Sequence, residues 1–242
     1  MQEYWQFYVL ALLCEVIGTV SGFGSSILFV PLASMFFEFK YVLGITAVFH
    51  VFSNLSKIYF FHKDIDKKIL LQLGIPAVLF VALGAFLTTF INQKKLELAM
   101  NIMLLALSIY LVFNINKKLK MSNKNLVIGG VASGFLAGLV GTGGAIRGLV
   151  LASFSLEKNV FLATSALIDL GVDSTRAVIY INNGFFKKEF LITVPFLIAV
   201  SIIGTWIGKR ILAHVNEILF RYIVILTIIA TAIFQTVNYF GD

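Results

Sequence analysis

The sequence predicts an all-α, polytopic membrane protein: a helical bundle of two inverted-topology repeats, with short or broken helices after glycine-rich turns. Three observations predict it. Hydrophobic residues make up 59% of the 242-residue chain, charged residues only 13%, and mean hydropathy is +0.95. Long apolar runs alternate with brief polar breaks, and the second half repeats residue types of the first.

A soluble domain carries about 45–50% apolar and about 25% charged residues. Apolar side chains in this excess cannot all be hidden in a core of this size. Disorder, collagen, a disulfide scaffold and an ordinary cytosolic enzyme are therefore excluded. The net charge of +7 falls in short clusters between apolar runs, not in a stripe. It reads as charge that sets membrane topology, not as a nucleic-acid surface. The single cysteine, Cys14, forms no intramolecular disulfide and is expected to be a buried, inert thiol.

Apolar runs lie near 4–20, 25–37, 41–61, 69–91, 96–114, 125–140, 144–156, 159–181, 189–208 and 218–239. A full crossing needs about 20 residues. The runs 25–37 and 144–156 fall short of that and follow glycine clusters, which predicts half-helices or sharply bent ones.

Sliding the chain by 119 positions lays Gly22-Phe23-Gly24 on Gly141-Thr142-Gly143 and Pro76 on Pro195. Thr46, His50, Asn54 and Lys57 fall on Ser165, Asp169, Asp173 and Arg176. The repeats are thus placed at 1–121 and 122–242, the duplicated plan of many secondary transporters. The stretch 4–37 would be about 51 Å long as one helix, too long for a core of about 30 Å. A hairpin broken at Gly22–Gly24 fits better, and three further crossings then invert the second half. That arrangement places Lys63, Lys67, Lys68, Lys117, Lys118, Lys120, Lys124, Lys158, Lys209, Arg210 and Arg221 in the cytoplasm. It leaves Lys40, Lys94, Lys95, Lys187 and Lys188 outside, with both termini outside too.

Six charged residues sit inside apolar runs: Glu15, Lys57, Arg147, Asp169, Asp173 and Arg176. A charge at mid-bilayer costs about 2.5–3.5 kcal/mol on insertion scales, so each faces a cavity or a partner. Positions 46, 50, 54 and 57 share one helical face, as do 165, 169, 173 and 176. Two readings stand for these stripes: hydrogen-bonding glue between helices, or the lining of a transport path.

The clusters Gly22, Gly24, Ser25, Ser26 and Gly141, Thr142, Gly143, Gly144 can expose unpaired amides at the start of a half-helix, which attract anions. Close helix packing on small residues is the other reading. Asp173 stands three residues before Arg176 and can neutralise it. Lys57 has no acid in its own helix, the repeat placing Asn54 there. Lys57 and Arg147 are thus the stronger anion contacts, with Arg176 beside them. Glu15, His50, Asp169 and Asp173 are the candidates for carrying protons, and His50 equally fits a structural role. Three histidines and one cysteine show no metal-ligand spacing, and no cofactor motif is present. Ser21, Ser25 or Ser26 with His50 lacks an orienting third group, so no catalytic residues are assigned.

These residues resemble the TauE/SafE family, the sulfite exporter and toluene-sulfonate uptake permeases. Its repeats open with a Gly-x-Gly-Gly-Gly…Pro-x-Leu element, followed by a helix with an Asn…Ser pattern and a short charged loop. Here the first element is Gly22-Phe23-Gly24-Ser25-Ser26 with Pro31-Leu32. Ser53-Asn54-Leu55-Ser56-Lys57 and Asp64-Ile65-Asp66-Lys67-Lys68 follow. The second is Gly141-Thr142-Gly143-Gly144 with Val150-Leu151. Ser25-Ser26 replace two glycines, Val150 stands where proline is usual, and Arg147 follows the second cluster. The resemblance implies export or uptake of sulfite or an organosulfonate. The expected protein is a bacterial inner-membrane carrier of a small anion, working by alternating access between repeats. An anion channel and a non-transporting scaffold are the alternatives.

Overall fold

The computed structural model describes residues 5–22, 24–62, 65–114, 122–154 and 156–216, with residues 219, 222, 226, 229, 230 and 233 beyond them. The basic residues Lys63, Lys117, Lys118, Lys120 and Arg221, the boundary near 121 and most of the run 218–239 lie outside the described residues.

The described residues fold as helices joined by short turns. These are α1 (Trp5–Ser21), α2 (Ser26–Ala33), α3 (Phe39–Phe61), α4 (Lys67–Ile69), α5 (Ile75–Thr88), α6 (Gln93–Asn114), α7 (Asn123–Val140), α8 (Gly144–Ser153), α9 (Lys158–Asn182) and α10 (Val194–Leu212). The helices α2 and α8 are short, as the glycine clusters before them predict. Proline shapes both long spans that follow. It has no N–H to give the preceding turn, and a π-helical turn at Leu70–Gly74 precedes Pro76 while a 3-10 turn at Lys188–Thr193 precedes Pro195.

Among the described residues, four helical stretches are long and apolar enough to cross a membrane: Phe39–Phe61, Lys67–Thr88, Asn123–Val140 and Lys188–Leu212. Their outward faces confirm the solvent. Leu71, Ile75, Leu79, Leu83 and Phe86 form an exposed stripe at helical spacing, and Phe196, Ile202, Ile203 and Trp206 form another. Such patches are rare on soluble monomers and natural against lipid. The polar groups are inside instead: Glu15, Arg147 and Arg176 are all buried.

The first helix of each half packs on a late helix of the other: α1 on α10, and α7 on α5. Glycine makes both contacts possible. A methyl group added to Gly130, Gly134 or Gly138 of α7 would collide with the backbone carbonyl of Leu73, Ala77 or Val81, so these helices run parallel at backbone contact. Gly204 and Gly208 of α10 lie against Glu15 and Thr19 of α1 in the same parallel sense. The central pair, α3 and α9, is antiparallel. Gly44 abuts Phe185, Asn54 meets Asp173, and Asp66 beyond α3 donates its N–H to Thr164 at 2.9 Å.

Candidate functional site

The polar stripe of α3 and that of α9 face each other at the centre of the bundle. Asn54 donates to Asp173 Oδ2 at 2.7 Å, so two positions related by the 119-residue shift are hydrogen-bonded to each other. Around them lies a cavity of about 10 Å³, lined from α3 by His50, Ser53, Asn54 and Lys57 and from α9 by Asp169, Val172, Asp173 and Arg176. Arg147 of α8 enters from the side. Gly24, Ser25 and Ser26 before and within α2, Ala137 of α7, and Gly141, Gly143 and Gly144 complete the wall.

Both glycine turns need a left-handed backbone. Gly24 has φ +78° and Gly141 φ +80°, where a Cβ is strained. Each turn brings a half-helix start to the cavity, and the first amides of a helix have no carbonyl a turn earlier to bond. Ser25 occupies the cap position of α2, yet its side chain caps nothing. Its hydroxyl donates instead to Glu15 Oε2 at 2.7 Å, so the leading amides of α2 keep their donor capacity.

All three buried cations have a carboxylate. Arg176 Nε contacts Asp173 Oδ1 at 2.6 Å, the same-helix pair that the spacing predicts. Its Nη1 also donates to the Gly141 carbonyl at 2.9 Å, which ties the second glycine turn to α9. Arg147 pairs with Asp169 through Nη2, and its Nε donates to Ser165 at 3.0 Å. Lys57 pairs with Glu15 at 2.9 Å and donates to Ser53 at 2.6 Å. As the sequence shows, no acid stands in the same helix as Lys57, and α1 supplies Glu15 from across the bundle.

Glu15 is fully buried and held from several helices. Besides Lys57 and Ser25 it accepts from Ser53 at 2.8 Å and Thr205 at 3.0 Å. Gly204 leaves room for its side chain on α10. His50 links the two halves of this network. Arg176 Nη2 lies 3.3 Å from His50 Nδ1, and a guanidinium only donates, so Nδ1 accepts. The ring proton then sits on Nε2, 2.9 Å from Ser25 Oγ, which in turn donates to Glu15. The serine–histidine contact is thus real, but its histidine faces a guanidinium and its serine proton is committed to Glu15. That is a structural relay, not an activated nucleophile.

The cavity gathers Gly24, Ser25, Ser26, His50, Asn54, Lys57, Gly141, Gly143, Gly144, Arg147, Asp169, Asp173 and Arg176 from the predicted set. Glu15 stands one layer behind. Gly22 and Thr142 do not line it, and the buried Thr142 hydroxyl has no hydrogen-bond partner. Sequence reasoning passed over Ser53 as a site residue, although it sits one turn before Lys57 on the polar side of α3.

The sequence model of the family described as Sulfite exporter TauE/SafE matches residues 7–234. The chain belongs to this TauE/SafE family. It is a multi-pass membrane transporter and not an enzyme. Among curated proteins it is similar to "Probable membrane transporter protein MJ0441" of Methanocaldococcus jannaschii, 24% identical over 213 residues that cover 80% of this chain and 79% of that one. No solved structure matches. The TauE/SafE elements fall on the features just described: Gly24–Ser26 and Gly141–Gly144 open the half-helices, and Ser53-Asn54…Lys57 faces the cavity.

Proposed function

We propose that this TauE/SafE transporter carries a small anion, sulfite or another sulfur oxyanion or organosulfonate, through the central cavity by alternating access. One observation carries the reading. Two half-helix starts and three buried cations converge on a single enclosed space. Amides at helix starts and guanidinium forks suit a tetrahedral or pyramidal oxyanion.

The cavity as it stands has room for about one water, and sulfite is larger than that. Binding therefore parts an ion pair. Arg147–Asp169 is the pair to yield, because Asp169 is the most accessible of the paired carboxylates, with 14% of its side chain exposed against 6% for Asp173 and 0% for Glu15. The anion takes the place of Asp169 on Arg147 and accepts from the amides of Ser26 and Gly144. Arg176 and Lys57 stay paired and keep the surrounding potential positive.

The repeats 1–121 and 122–242 are inverted in this reading. The antiparallel run of α3 and α9 supports it, since helices related by the shift are oppositely directed, as does the exchange of packing partners between α1/α10 and α7/α5. The loop charges support an orientation with both termini outside, and the membrane in this reading is a bacterial inner membrane. A thermal-shift screen of purified protein against sulfite, sulfate, thiosulfate, taurine-like sulfonates and carboxylates tests the substrate class. A sulfur oxyanion or sulfonate should raise the melting temperature in a saturable way. Stabilisation by carboxylates alone would overturn the assignment, and none by any anion would favour a scaffold.

A further inference from the structure

A second cavity, of about 710 Å³, opens at the end of the bundle where α3 and α10 finish and α9 begins. Phe60 and Phe61 line it from α3 and His62 from just beyond, Lys158 and Asn159 from α9, and Lys209 from α10. Both lysines are held there by backbone oxygens. Lys209 Nζ donates to the Phe60 carbonyl at 2.9 Å and lies 5.5 and 5.4 Å from the ring centres of Phe60 and Phe61. Lys158 Nζ donates to the carbonyls of Val215 at 2.7 Å and Leu212 at 3.2 Å. Among the described residues neither ammonium is paired with a carboxylate. Backbone carbonyls thus hold both ammonium groups at the mouth of this cavity.

This cavity and the buried site share helices. On α3, Lys57 lines the buried site and Phe61, one turn later, lines the larger cavity while only 6% exposed. On α9, Lys158 and Asn159 lie in the larger cavity and Asp169 in the buried site, with Phe161 and Leu162 buried between them. The two spaces are one helical turn apart along α3 and about 15 Å apart along α9. At the other end of the bundle the 119-residue shift turns Phe61 into Tyr180. That end is closed. The Tyr180 hydroxyl bonds the Gly138 carbonyl, its ring stacks on Phe185 at 5.3 Å, and the Phe185 backbone is wedged against Gly44. Phe37 and Tyr41 then pack on Phe190 above it.

We propose that the Lys158–Lys209 cavity is the vestibule that collects the substrate anion before it enters the buried site, with Phe61 as the gate between the two. The structure is then accessible from the lysine end and sealed at the Tyr180–Phe185 end. The inference rests on the anion-carrier reading above and adds where the anion waits and which side chain admits it.

Cysteine labelling tests it without any transport measurement. Cys14 is the only cysteine, so Cys14→Ser gives a background in which Asn159→Cys reports the vestibule and Val172→Cys the buried site. Both are treated with an anionic sulfonatoethyl and a cationic aminoethyl methanethiosulfonate. With each rate divided by that reagent's rate on free cysteine, two unit charges acting across roughly 8 Å of salt water should make the anionic reagent about three- to fivefold faster than the cationic one at residue 159. That preference should vanish in Lys158→Gln/Lys209→Gln. Equal rates for the two reagents, or a preference that survives loss of both lysines, would overturn the vestibule. Phe61→Ala should raise anionic labelling of Val172→Cys about tenfold or more. An unchanged rate in folded Phe61→Ala, or in the milder Phe61→Leu, would overturn the gate. A protein that labels as expected yet moves no anion would fail the transport reading alone.

Discussion

Replacing Glu15 by glutamine isolates the most deeply buried ion pair of the site. The side chain keeps its shape and one carbonyl that still accepts from Ser53 and Thr205, but its charge is gone. Lys57, with only 6% of its side chain exposed, then has no carboxylate of its own. Breaking a buried pair by removing one partner costs about 3–5 kcal/mol. The retained acceptor argues for the lower end, about 3 kcal/mol, and in a chain of this size each kcal/mol moves the melting point by roughly 2–4 °C. Glu15→Gln should therefore melt about 6–12 °C below the parent. Lys57→Met should fall by a similar amount, leaving Glu15 charged and unpaired. The double variant, with no charge left to bury, should recover most of the loss, giving a coupling of about 4–5 kcal/mol. The assay is thermal unfolding of the four purified proteins in one detergent. Additive losses, or a Glu15→Gln variant as stable as the parent, would refute the claim that this pair holds α1 to α3.

Other expectations follow from the same geometry. Ser25→Ala removes the hydroxyl between His50 and Glu15 and should cost about 1.5–3 kcal/mol, as for hydrogen bonds to charged groups; an unchanged melting point would show that the relay is not stabilising. Asp169→Asn frees Arg147 for the anion and should tighten binding about tenfold, read by titrating the thermal shift. Weaker binding there would sink the idea that anion and Asp169 compete. Gly134→Leu places a side chain where the Ala77 backbone sits and should abolish a monodisperse peak in size-exclusion chromatography, with a loss exceeding about 4 kcal/mol; normal yield would mean α5 and α7 do not need contact at this point.

Much of the bundle was legible because lipid imposes simple rules. The apolar runs 41–61 and 125–140 correspond to α3 and α7, since a span must satisfy its own backbone and show apolar side chains outward, and the run 159–181 corresponds to α9. The stripes at 46, 50, 54, 57 and 165, 169, 173, 176 were legible because helical spacing alone puts them on one face. Their members behave differently, however: the Thr46 hydroxyl is buried without a partner, while Asn54 and Asp173 meet directly. Partnerships between helices were not legible. Nothing local to Lys57 announces Glu15, whose position depends on how α1 leans on α10 at Gly204. Gly22 and Thr142 belong to the right motifs and are buried, but they do not line the cavity, which motif spacing cannot resolve. The vestibule was hidden for the same reason, as Lys158 and Lys209 look like ordinary loop charges until α9 and α10 bring them to one cavity.

The central claim is that a sulfur-containing anion crosses the membrane through the cavity between α3 and α9, held by Arg147. Flux of labelled sulfite into proteoliposomes, compared between the parent and Arg147→Ala at matched folded protein, tests it most directly. The account predicts saturable flux in the parent and loss of at least about 100-fold in the variant, as expected where a paired guanidinium contact worth about 3 kcal/mol is lost. Flux in Arg147→Ala equal to that of the parent would contradict it.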